Sequence, residues 1–151
     1  MPYLLDDEFD DEFTLYGIKT NNIKEYKFIY LLNKSLLTQF KRIEDLDVKF
    51  KENTYCFSNY YHFDEISGND CYLLQNLSQP LKNLSQQNSL FSEVTERHSL
   101  LKKHAFYDFF LKLNGNITQK PSFTLSLQKL NFIQHIKFIE LTDKEKRLLI
   151  I

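Results

Sequence analysis

The sequence predicts an α+β domain, a two-layer sandwich in which a largely antiparallel sheet of five or six strands carries two helices on one face. Three observations predict it. The first is composition: 42% hydrophobic and 15% aromatic residues across 151 positions supply the apolar surface for one packed domain. The second is alternation, with apolar residues at every second position in several runs bounded by turn residues. The third is helical spacing in two stretches, each set between strand-like runs. The predicted order is β-α-β-β-β-loop-β-α-β, with the helices covering the sheet between strands.

Each element has its own pattern. Phe13 to Thr20, FTLYGIKT, has strand composition. The next stretch places Ile23, Tyr26, Ile29, Tyr30, Leu32 and Leu36 on a broad apolar face. Asn22 with Glu25 three residues on resembles a capping box, so a helix is expected over about 22–37. Leu46, Val48 and Phe50 alternate, whereas Phe40 and Ile43 are out of step, which predicts a bulge near Glu44. Beyond a turn at Glu52–Asn53, Tyr55, Phe57, Asn59, Tyr61 and Phe63 share one strand face. A second turn at Ser67–Asp70 leads into CYLLQNL, making a three-stranded meander in which Cys71 lies near His62.

Residues 75–92 are rich in Asn, Gln and Ser and interrupted by Pro80, and are expected to form a long polar loop. An apolar run from Ala105 to Leu113 follows, ended by Asn114–Gly115. Over 122–133, Phe123, Leu127, Leu130 and Ile133 keep helical spacing after Pro121, while Phe123, Leu125 and Leu127 also alternate. Helix is favoured there, with strand as the alternative. HIKFIEL is β-rich, and DKEKRLLII reads as a charged turn with a hydrophobic end.

Composition also bounds the chemistry. The three glycines stand far apart, so no phosphate loop or dinucleotide fingerprint is present. No apolar run approaches the length of a membrane helix, and the N-terminus is acidic and lacks a signal-peptide core, so a cytoplasmic location without membrane is expected. Cys56 and Cys71 fit neither a disulfide framework nor a metal spacing and are expected as buried thiols. The histidines His62, His98, His104 and His135 form no zinc pattern. No metal, cofactor or catalytic residue is expected, and enzymatic activity is the minority expectation.

Charge is placed unevenly. Asp6, Asp7, Glu8, Asp10, Asp11 and Glu12 form an acidic N-terminal arm over 1–12, interrupted by Phe9. The single domain expected over 13–151 is then basic by five charges, although the whole chain carries −1. The arm lacks the alternate ligands and central glycine of a calcium loop. It reads as a solvated tail, an arm docked through Phe9 and Phe13, or an acid-aromatic segment that binds a partner. Arg97, Lys102, Lys103 and His104 are the most basic local cluster, a candidate anion contact whose plainer reading is a solvated surface.

The stretches LLDDEFDDEFTLYGIKT, EYKFIYLLNKSL and FKRIEDLDVKF resemble the start of the bacterial IPExxxVDY family, small proteins of the Bacteroidetes type. SLF at Ser89–Phe91 and YDFFLKLNG at Tyr107–Gly115 are similar to its second half. The signature falls on Leu101–Phe109, LKKHAFYDF, where Asp108 is retained and Lys102 and Lys103 replace Pro and Glu. Any function of that Pro-Glu pair is therefore absent or altered. The family is uncharacterised, so the resemblance implies no activity.

Three functions remain in view. The leading one is a non-catalytic binding or adaptor domain working through protein–protein contacts, using the acidic arm and the aromatic-rich sheet, with homodimerisation as one form of it. The second is a small RNA-associated protein using the basic body. The third is a small-molecule-binding domain or enzyme with a pocket between helices and sheet.

Overall fold

The structure, a computed structural model, describes residues 13–80, 97–115 and 121–150. The acidic arm over 1–12 lies outside the described residues, as do residues 81–92 of the polar loop. The fold is α+β: one six-stranded, fully antiparallel sheet with a few short helices. In chain order the elements are β1 (Phe13–Thr20), α1 (Glu25–Leu36), β2 (Lys41–Phe50), β3 (Asn53–Asp64), β4 (Asn69–Gln75), β5 (Phe109–Asn114), α2 (Phe123–Ser126), β6 (Ile133–Phe138) and α3 (Asp143–Leu148). The strands lie side by side in the order β2-β3-β4-β5-β1-β6. The meander β2-β3-β4 is therefore followed by β5, and β1 is inserted between β5 and β6.

The expected order holds, and two local expectations hold with it. The register of β2 on β3 shifts between Ile43 and Leu46, the bulge anticipated near Glu44. His62 and Cys71 are direct partners across β3 and β4.

Both faces of the sheet are covered. On one, α1, α2 and the turn after α2 pack over Ile18, Leu73, Phe109 and Leu111 through Phe28, Leu32, Phe123 and Leu127. On the other, residues 100–107 and the C-terminal segment pack through Leu100, Tyr107, Ile139 and Leu149 on Leu15, Phe57, Leu74 and Phe110. Alternation along each strand produces this, because successive side chains reach opposite faces. β5 is buried on both faces over Phe109–Leu113, and this explains why its sequence is a continuous apolar run.

Several local expectations are corrected. α1 buries Phe28, Ile29 and Leu32, while Tyr26 and Tyr30 point outward at 71% and 61% exposure. Phe28 wins the interior because its ring stacks on Phe109 at 4.5 Å and meets Phe132 edge-on, whereas a phenol hydroxyl there would need a partner. Asn22 is not the N-cap; it adopts a left-handed φ of 54°, and α1 starts after Lys24 without a side-chain cap. The first hairpin turn falls at Lys51–Glu52, one residue earlier than read, with Lys51 at a φ of 56°.

The 122–133 segment is helical only over its first part. α2 runs into a 3-10 turn, Leu127–Lys129, and Ile133 already belongs to β6. The supposed charged turn at DKEKRLLII is the helix α3, started by a capping box between Thr142 and Glu145. Residues 76–80, assigned to the loop, are anchored: Asn76 donates to the carbonyls of His104 and Tyr107, and Leu77 bridges to Ser99.

Candidate functional site

The sheet has two edges, and they differ. β2 carries charge and its bulge: Arg42 pairs with Asp45 at 2.5 Å and with Glu25 at 3.4 Å, and Glu25 also accepts the Tyr60 hydroxyl. Burial and the Glu25 contact push the Tyr60 phenol above its ordinary range. Bulges and charges of this kind block strand addition.

β6 is less protected: its ladder with β1 shifts register only at its start, between Lys19 and Thr20, and is regular from His135 to Phe138, with Lys137 as its one lysine. Its sequence, IQHIKF, contains two basic or titratable side chains and no acid. Among the described residues it pairs with β1 alone. The Ile139 N–H donates to the Leu15 carbonyl at 2.9 Å, which makes these two a hydrogen-bonded pair. In an antiparallel ladder such pairs alternate, so Gly17–Lys137 and Lys19–His135 follow the same pattern. The backbone N–H and C=O groups of Ile136 and Phe138 then point away from β1, toward the open edge.

The two faces of β6 carry different chemistry. Ile136 and Phe138 project to the side covered by α2, where they and Tyr16, Leu125 and Leu127 line a cleft of about 370 Å³. Leu125 is 80% and Phe138 51% exposed at the rim of that cleft. Pro121 and Thr124 position the rim: Thr124 returns both its N–H and its hydroxyl to the Pro121 carbonyl, which closes the first turn of α2. His135 and Lys137 alternate to the opposite face, where His135 stacks on Tyr107 at 6.0 Å. Among the described residues, the edge thus offers an unpaired backbone row between an apolar cleft and a basic strip.

A second cleft, of about 410 Å³, lies at the start of α1 and is lined by polar groups including Thr20, Glu25, Gln75, Arg97 and Asp108. Asp108 accepts from both the Thr20 N–H and hydroxyl and lies 3.5 Å from Lys19. Its carboxylate fastens the end of β1 to the start of β5. The space between α1 and the sheet is filled by Phe28, Leu32, Phe109 and Phe132, so both clefts are peripheral.

The basic cluster is divided by the fold. The Arg97 Nε donates to the Ser78 carbonyl at 2.8 Å and lines the polar cleft. Lys102–His104 form a 3-10 turn whose His104 Nε2 lies 3.9 Å from Glu145 on α3. Burial draws the Glu145 carboxyl upward, but hydrogen bonds from Thr142 and the nearby His104 and Lys103 outweigh it and hold it low. Lys102 and Lys103 are exposed. The acidic partner-binding candidates Asp6–Glu12 lie outside the described residues.

Both thiols are favoured in the protonated form, Cys71 buried and Cys56 partly so. A hydrogen bond to Asp47, with burial, pushes Cys56 up to about 11, and burial pushes Cys71 to about 12. Among the described residues no three His, Cys, Asp or Glu side chains converge as a metal site, and no helix is long and apolar enough to cross a membrane.

No protein-family model matches this chain, and no curated protein matches it in sequence. The resemblance to the IPExxxVDY family therefore rests on its motif residues alone.

The β6 edge was missed in the sequence because strand order is a tertiary property. One signal was present: Ile136 and Phe138 alternate with His135 and Lys137, an apolar and a basic face in one short run.

Proposed function

We propose that this domain is a non-catalytic protein-binding module that accepts an extended peptide alongside β6. The observation that carries the reading is the outward backbone row at Ile136 and Phe138, set beside an apolar cleft. Strand addition uses such a row for main-chain hydrogen bonds and the adjoining pockets for alternate side chains.

Charge selects the occupant. An added strand presents alternate side chains to the two faces, so one set meets Leu125, Ile136 and Phe138 and the other meets His135 and Lys137. A peptide alternating apolar and acidic residues satisfies both. A second copy pairing through its own β6 would bring His135 and Lys137 against their equivalents, which favours a different partner.

The test uses a ten-residue peptide of alternating apolar and acidic residues, titrated onto the full chain by fluorescence anisotropy. Saturable binding that weakens by about tenfold or more in Phe138→Glu supports the reading, since strand contacts of this kind concentrate in a few buried side chains. Binding unaffected by Phe138→Glu, or no binding at millimolar peptide, contradicts it. A concentration-dependent dimer abolished by Phe138→Glu would replace the peptide by a second copy.

A further inference from the structure

The outer face of α1 carries aromatic rings and positive charge and no acid. Tyr26 and Tyr30 project into solvent, and Lys27 and Lys34 are exposed beside them. With the exposed Leu37 they fall within an arc of about 100° around the helix axis. Glu25, the one acid of α1, is turned away from this arc: it is half-buried and bound to Arg42 and Tyr60. Lys24, exposed at the start of the helix, adds a third cation.

Neither the helix nor the core accounts for two tyrosines on this face. Tyrosine is a middling helix former, and both rings stand outside the apolar cluster that α1 joins. Ring and charge are interleaved, with the Lys34 Nζ 5.9 Å from the centre of the Tyr30 ring. Exposed aromatics set among cations, without an intervening carboxylate, match a ligand that is both flat-ringed and anionic.

We propose that this face binds a single-stranded nucleic acid, with bases stacked on Tyr26 and Tyr30 and phosphates against Lys24, Lys27 and Lys34. Charge complementarity selects a polyanion. Spacing selects a single strand. One helical turn separates the two rings, about 6 Å along the axis, whereas bases stacked in a duplex strand lie about 3.4 Å apart. An extended strand with splayed bases can place one on each ring, and a paired strand cannot. A membrane surface would ask for an apolar outer face, and Leu37 is the one aliphatic side chain in the arc. The inference concerns α1 and shares no residue with the β6 reading.

A fluorescein-labelled twelve-nucleotide oligouridylate, titrated onto the full chain by anisotropy at about 50 mM salt, tests it. Saturable binding is expected, with log affinity falling against log salt at a slope of about −2, from three phosphate contacts. Tyr26→Ala with Tyr30→Ala should weaken binding about tenfold or more, and phenylalanine at both positions should restore it, because the ring is what stacks. The urea midpoint of each variant separates lost contact from lost fold. An oligothymidylate of equal length identifies the source: weaker binding assigns the face to RNA, and equal binding assigns it to either strand. No saturation at about 100 μM protein would overturn the proposal. So would binding indifferent to the alanine pair, equal affinity for a duplex of the same length, or displacement by polyglutamate as readily as by unlabelled oligouridylate.

Discussion

The ring of Tyr107 rests on the backbone of Gly17. A Cβ at Gly17 would meet the Tyr107 Cγ at 2.6 Å and both Cδ atoms at 2.8 Å. The close approach lets residues 100–107 seal the second face of the sheet, with Tyr107 between Phe110 and His135. Gly17→Ala is expected to cost about 1–3 kcal/mol through overpacking. Urea denaturation checks this, and adding Tyr107→Ala should remove most of the further penalty of the alanine, because the clashing ring is gone.

Phe28 and Tyr26 should separate cleanly in the same measurement. Phe28→Ala empties a site stacked on Phe109 and is expected to cost about 3–5 kcal/mol. Tyr26→Ala, on the exposed face of α1, should stay within about 0.5 kcal/mol of wild type. A loss at Tyr26 as large as that at Phe28 would mean that the outer face of α1 is covered in solution.

Leu37 ends α1 with a left-handed φ of 56° and is 90% exposed. Its side chain contributes little burial, and its backbone conformation favours glycine. Leu37→Gly is expected to raise stability by about 0.5–1 kcal/mol, read as a higher midpoint in thermal or urea unfolding. A lower midpoint would show that the leucine side chain holds the α1–β2 connection more firmly than Asn33, which binds both Thr38 and Phe40.

His62 makes the fold sensitive to acid. Its Nδ1 accepts the Gln39 N–H at 3.1 Å, which requires that nitrogen unprotonated. Burial holds the imidazole below its ordinary value, with a partial upward pull from Asp64. A depressed histidine is neutral in both states at high pH, so its contribution is fully present above about 6.5. As pH falls through the lower folded value, the unfolded chain binds the proton first and stability is lost. The urea midpoint should therefore fall between pH 7.5 and 5.5, and by less in His62→Gln. A midpoint that rises on acidification in wild type but not in His62→Gln would contradict this.

How legible this was from sequence varied with the range of the interaction. The hairpins β2-β3-β4 could be read directly, because alternation and turn residues are local, and even the bulge near Glu44 left a phase slip between Ile43 and Leu46. The choice of Phe28 over Tyr26 for the interior depended on Phe109, about eighty residues away in the chain, and no periodicity carries that. α3 was missed although Thr142 and Glu145 spell a capping box, because the run after it is too short to show a helical period. The burial of Lys112 follows from β5 being interior, a fact of sheet order. The edge position of β6 was hidden for the same reason.

The most direct test of the central claim is amide hydrogen exchange along β6, followed by NMR with and without the alternating apolar–acidic peptide. In the free protein the amides of His135 and Lys137, bonded to β1, should be protected, and those of Ile136 and Phe138 should exchange freely. Peptide at saturation should slow exchange at Ile136 and Phe138 and leave β2 unchanged. Protection appearing along β2 or α1 instead, with Ile136 and Phe138 still exchanging freely, would contradict strand addition at β6.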